Sequence, residues 1–129
     1  MSQAIPTIMV LEPDVLLRMA LSEYLRDCGY RVIEGVKVED VWTVIRTGVT
    51  LEVLFASVQP DGFALASKLR QTSPGVDVIL YSGIADAVDK SSTICGRGPA
   101  KIRARPEAVA RRIQRLLAGR ERSLKQKGA

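Results

Sequence analysis

Short apolar runs recur along the chain roughly every 20 to 25 residues, and stretches with a helical period separate them. The first run, "TIMVLE", predicts a strand over 7–12. After it, Leu17, Leu21, Tyr24 and Cys28 repeat at helical spacing, and Gly29 is a natural stop. "YRVIEG" predicts the second strand. Val38, Val41, Trp42 and Ile45 then form one helical stripe that ends at Gly48. "LEVLFAS" is the third strand, and Gly62, Leu65, Ala66 and Leu69 mark a third helix closed by "TSPG". "VDVILYS" is the fourth strand. "GIADAVDKSSTICGRG" is polar and weakly patterned, and predicts a short helix and a loop. "PAKIRA" reads as a weak fifth strand. Val109, Ile113, Leu116 and Leu117 line a final helix, with Pro106 suited to its first turn.

Strands such as "VILY" are apolar without alternation, which predicts burial on both faces and a parallel sheet between helix layers. Five βα units then make a doubly wound α/β fold. In such folds, sites form at the carboxyl ends of the strands, near the switch in strand order. That rule selects Glu12, Ser57, Ser82 and the region of Lys101. The reading gives one domain, residues 1–119, and a charged tail, residues 120–129.

Composition changes this picture in three ways. The chain has no histidine, which excludes Ser-His and Cys-His nucleophiles, histidine metal ligands and a phosphohistidine carrier. Charge is uneven: residues 101–129 hold ten of the 19 Lys and Arg and two of the 14 acids, so +8 sits there and −3 on the first 100 residues. No apolar run approaches the ~20 residues of a membrane span, and no secretory signal pattern opens the chain, so a cytoplasmic location is expected. Cys28 and Cys95 lack the spacing of a metal knuckle or redox pair. In the cytosol they are expected to stay reduced, with Cys28 as packing at a helix end.

Two segments carry a resemblance to the receiver domains of two-component response regulators. "IMVLEPDVLLRMALSEYLRDCGYRVIEG" resembles the family's first strand, first helix and second strand, and "QPDGFALASKLRQTSPGVDVILYSG" its third helix and fourth strand. The resemblance covers about residues 7–118 and matches poorly over the last third. It implies a flavodoxin-like, CheY-like five-stranded parallel sheet of order 2-1-3-4-5. It also implies phosphoryl transfer to an aspartate at the end of the third strand. Acids after the first strand hold Mg²⁺, a Ser or Thr after the fourth strand bonds the phosphoryl oxygens, and a Lys from the fifth strand pairs with them.

Carried over position by position, this machinery is incomplete. Glu12 matches the first acid, Pro13 stands where the metal-binding acid belongs, and Asp14 is displaced by one residue. The acceptor position falls on Ser57, or on Ala56 if the short "VQPDG" loop is aligned from Pro60. Neither side chain can form an acyl phosphate. Ser82 matches the hydroxyl and Lys101 the lysine, although the Lys-Pro pair is missing. No aromatic residue follows Tyr81, so the family's rotameric switch has no counterpart.

The expectation is therefore a degenerate, non-catalytic pseudo-receiver with no catalytic residue, no metal site and no cofactor. It would act as a protein-interaction module in phosphorelay signal transduction. The alternative is an atypical regulator phosphorylated on Asp61 or Asp14; as structural residues these two would instead cap the third and first helices. "GRGPAK" is read as a connection, because a phosphate loop would precede a helix. Arg111, Arg112 and Arg115 on the final helix make a basic surface suited to an acidic signalling partner or a homodimer contact. Nucleic acid is not the expected partner, since no helix-turn-helix pattern or stacking aromatics accompany the arginines.

Overall fold

A computed structural model describes residues 5–99 together with 107, 111, 113–115 and 118. Four strands alternate with four helices: β1 (Thr7–Leu11), α1 (Val15–Asp27), β2 (Arg31–Gly35), α2 (Val38–Arg46), β3 (Val53–Ser57), α3 (Gly62–Thr72), β4 (Asp77–Tyr81) and α4 (Ile84–Gly96). All strand pairs are parallel, in the order β2-β1-β3-β4. This is the doubly wound sheet expected, with four strands among the described residues. The "PAKIRA" run after Pro99, with Lys101, lies outside them, as do Arg112 and the 120–129 tail. Residues 107, 111, 113–115 and 118 are helical.

The pleat divides the core in two. Ile8, Val10, Phe55 and Tyr81 point to one face and meet Leu17, Leu21 and Leu25 of α1 with Ala87 and Ile94 of α4. Met9, Leu11, Leu54 and Ala56 point to the other face and meet Val41 of α2 with Leu65 and Leu69 of α3. Every residue of β1 is buried, as its uninterrupted apolar run requires of a central strand.

Local chemistry fixes the helix ends. Asp14 is the N-cap of α1, and its Oδ1 accepts the N–H groups of Leu16 (2.9 Å) and Leu17 (3.2 Å). Gly29 ends α1 at φ 95°, a conformation that favours glycine. Asp40 reaches back to the N–H groups of Val36 (2.8 Å) and Lys37 (3.0 Å) ahead of α2. Those two bonds hold its carboxyl below the usual carboxylate range.

Two expectations need correction. The weakly patterned segment after β4 is a continuous helix of 13 residues. Its buried stripe is Ala87, Ser91, Ser92, Ile94 and Cys95, and small or polar side chains there conceal the helical period. These residues allow α4 to lie close against α1. The cysteines are not free thiols: Cys28 and Cys95 form a disulfide across this contact, with Cα atoms 5.3 Å apart and both side chains fully buried. The spacing of 67 residues hides the pair in sequence, and only the approach of α1 and α4 brings it together. Around it, the Tyr30 hydroxyl donates to the Ile94 carbonyl (2.8 Å). A Cβ at Gly98 would lie 2.6 Å from the Cys28 carbonyl oxygen, so only glycine fits that close pass.

A disulfide that closes so long a loop contributes on the order of 2–4 kcal/mol. The Cys95→Ser variant should lose about that much stability in urea unfolding, whereas adding a dithiol reductant to it should change nothing further. Wild-type stability that is unaffected by reduction under denaturing conditions would show that the bond contributes nothing.

Candidate functional site

The carboxyl ends of β1, β3 and β4 bring Glu12, Pro13, Ser57 and Ser82 to one edge of the sheet. Each is already committed there, or lacks the atoms that phosphoryl chemistry needs. Glu12 is buried at 5% exposure. Its Oε1 accepts the Tyr81 hydroxyl (2.8 Å) and its Oε2 accepts the Asp14 N–H (2.7 Å). Its carbonyl accepts from the Arg18 guanidinium (2.9 Å), which also meets Glu34 (3.4 Å). Tyr81 is 1% exposed and packs tilted against Phe55, with ring centres 4.7 Å apart. Burial first, and then the Glu12 carboxylate, push the Tyr81 hydroxyl far above the ordinary tyrosine range, so it stays a donor.

Pro13 is exposed and offers no ligand atom from its side chain. Asp14 spends its carboxylate on the start of α1. Ala56 is fully buried against α2 and α3. Ser57 is the tip of β3, half-buried, and its Oγ accepts the Gln59 N–H (3.2 Å). The α3 backbone presses on this tip: a Cβ at Gly62 would lie 2.4 Å from the Ser57 carbonyl oxygen. Asp61 occupies the N-cap position of α3, but its side chain makes no capping bond, unlike the expectation from "PDG".

On the β4 side, Ser82 turns to its own helix. Its N–H (3.0 Å) and hydroxyl (3.4 Å) both donate to Asp86. Asp86 is further paired with Lys90 (3.1 Å), and the Lys90 ammonium donates to the Leu80 carbonyl. The Ser82 N–H and then Lys90 hold the Asp86 carboxyl below the usual range. Lys90 was not singled out in the sequence. Its spacing of four from Asp86 on a helix was the signal that could have found it.

The receiver resemblance implies Mg²⁺ here, and the donor set does not fit it. Glu12 has both oxygens in hydrogen bonds, Pro13 replaces a carboxylate, and Asp14 caps a helix. Among the described residues, no three His, Cys, Asp or Glu converge as a metal site. Beside Ser57 lies a cavity of about 340 Å³, between the β2–α2 and β3–α3 connections. Elsewhere, Arg111 and Arg115 are exposed one helical turn apart, while Ile113 between them is buried in the α1–α4 core. No described helix is long and apolar enough to cross a membrane.

Comparison with known proteins agrees with this architecture. A response regulator from Thermotoga maritima superposes with a TM-score of 0.58 at 18% identity, over 89% of this chain and 99% of that one. The signal receiver domain of an HD domain-containing protein from Pseudomonas fluorescens Pf-5 gives 0.59 at 16% identity, over 95% and 96%. The chemotaxis response regulator CheY4 of Vibrio cholerae gives 0.56 at 15% identity, over 88% and 99%. No family model and no curated protein matches the chain. The fold is therefore the CheY-like receiver fold.

The Tyr81–Glu12 bond is the buried polar contact of this edge. Tyr81→Phe would leave a carboxylate oxygen in the core without its donor, at a cost of about 1.5–3 kcal/mol. Urea unfolding of that variant at neutral pH should show this loss, with an unchanged m-value. A loss below about 0.5 kcal/mol would mean that the bond is replaced by water at no cost.

Proposed function

We propose that the chain is a pseudo-receiver: a non-catalytic protein-interaction module of two-component, phosphorelay signal transduction. The observation that carries this reading is the state of the site. The tip of β3 presents Ser57 in place of an acid, and Glu12 is turned inward to Tyr81. A hydroxyl without a neighbouring base is a poor nucleophile, and a serine phosphate is not an acyl phosphate. Signal then passes by docking of one conformation, and the α1–α4 disulfide supports that rigidity.

Two surfaces support docking. Arg111 and Arg115 present positive charge that suits an acidic signalling partner, and Arg112 belongs to the same sequence cluster. Apolar side chains are also exposed where each helix leaves the carboxyl edge of the sheet: Val15, Val36, Phe63 (71% exposed) and Ile84. Exposed carbon gathered at one edge is a mark of contact surfaces. A second copy of the chain is a further candidate for either surface. A cytoplasmic location belongs to the same reading. Disulfides are rare in that compartment, but both sulfurs are shielded here, which slows exchange with soluble thiols.

The rival reading makes Asp61 the acceptor, since its carboxylate is exposed, makes no capping bond, and rims the same cavity as Ser57. Incubation with acetyl phosphate and Mg²⁺, followed by intact mass, separates the two. The pseudo-receiver gains no mass. A hydroxylamine-labile gain of one phosphoryl group overturns it, and loss of that gain in Asp61→Asn would name the acceptor.

A further inference from the structure

The cavity beside Ser57 lies at the carboxyl ends of β1 and β3, where the strand order reverses. In open α/β sheets this crevice is where ligands sit. Its volume of about 340 Å³ is that of a small-molecule site at the compact end of the range. Leu11 of β1, Val36 and Val38 at the start of α2, and Leu65 of α3 supply carbon, so the wall is mostly apolar. Pro13, which stands where the receiver resemblance implies a metal-binding acid, and Ser57, one of the two positions it allows for the acceptor, both belong to that wall. Both are uncharged, so the crevice holds a proline and a hydroxyl at positions where phosphoryl chemistry would use carboxylates.

Charge narrows the ligand further. The rim carries one base, Lys37, and two acids, Glu39 and Asp61, for a net charge of −1, so a free anion gains nothing there. Ser57 Oγ already accepts from Gln59, and among the described residues its hydroxyl donates to no partner. We infer that this crevice binds a neutral, largely apolar small molecule whose carbonyl-type acceptor meets the Ser57 hydroxyl. The inference rests on the pseudo-receiver reading, because a phosphorylated crevice would exclude such a ligand. It gives docking a means of control: a ligand that spans the β2–α2 and β3–α3 connections bears on the exposed Val36 and Phe63 beside them.

The test uses Prodan, a neutral naphthalene ketone whose emission rises and shifts to the blue in apolar surroundings. Titrated into the full chain, it should saturate at one molecule per chain, and inorganic phosphate should not compete. Amide shifts in the wild-type chain should be confined to Leu11, Val36, Ser57, Leu65 and their neighbours. Ser57→Ala should weaken binding by roughly threefold to tenfold, the worth of one hydrogen bond. Leu65→Trp, checked for native circular dichroism, should abolish binding by filling the space, and Val38→Phe serves if that variant does not fold. Absence of saturable binding, shifts mapped elsewhere, or undiminished binding in a folded cavity-filling variant would each overturn the inference. Failure here leaves the acetyl phosphate result untouched, so the two readings fail separately.

Discussion

The hydrogen bond between Tyr81 and Glu12 organises the carboxyl edge of the sheet. It runs from the end of β4 to the end of β1, strands that do not touch, and so it spans the tip of β3 between them. Burial makes it costly to break, because an ionised carboxylate inside the core needs its donors. Asp14 supplies the second donor from its backbone, and Arg18 secures the Glu12 carbonyl behind it. In a working receiver, an acid at this place would face the incoming metal. Here it is part of the core, and its hydrogen bonds join the tips of β1 and β4.

The same rigidity extends down the α1 face of the sheet. α4 packs beside α1, and the Cys28–Cys95 bond joins their carboxyl-terminal ends. At its other end α4 is fixed by Asp86, Ser82 and Lys90. A helix held at both ends does not respond easily to events at the strand tips. The pseudo-receiver proposed above, read by its partner in one shape, would need no such response.

Much of this architecture was legible in the sequence. The four described strands fall where the apolar runs place them, and α1, α2 and α3 follow their stripes. Asp14 caps α1, as its position before the helix suggests. What escaped depended on contacts between distant residues or on small side chains. The stripe of α4 is built from Ala, Ser and Cys, which hydrophobic periodicity does not register. The disulfide joins residues 67 apart, and the Tyr81–Glu12 bond residues 69 apart. One clue was present: a tyrosine closing an aliphatic strand must find a partner for its hydroxyl when buried, and Glu12 closes another such strand. Asp61 shows the opposite failure, since turn chemistry located the helix start but did not fix its side chain.

The pseudo-receiver proposed above has a strand edge that does not recognise a metal-bound phosphoryl group. Amide spectra of the isotopically labelled chain, recorded with and without Mg²⁺ and beryllofluoride, a tetrahedral phosphoryl mimic, test it most directly. The amides of Ser57, Ser82 and Asp14 should keep their positions when both are added. Saturable shifts of those three amides that need Mg²⁺ and the mimic together would contradict it.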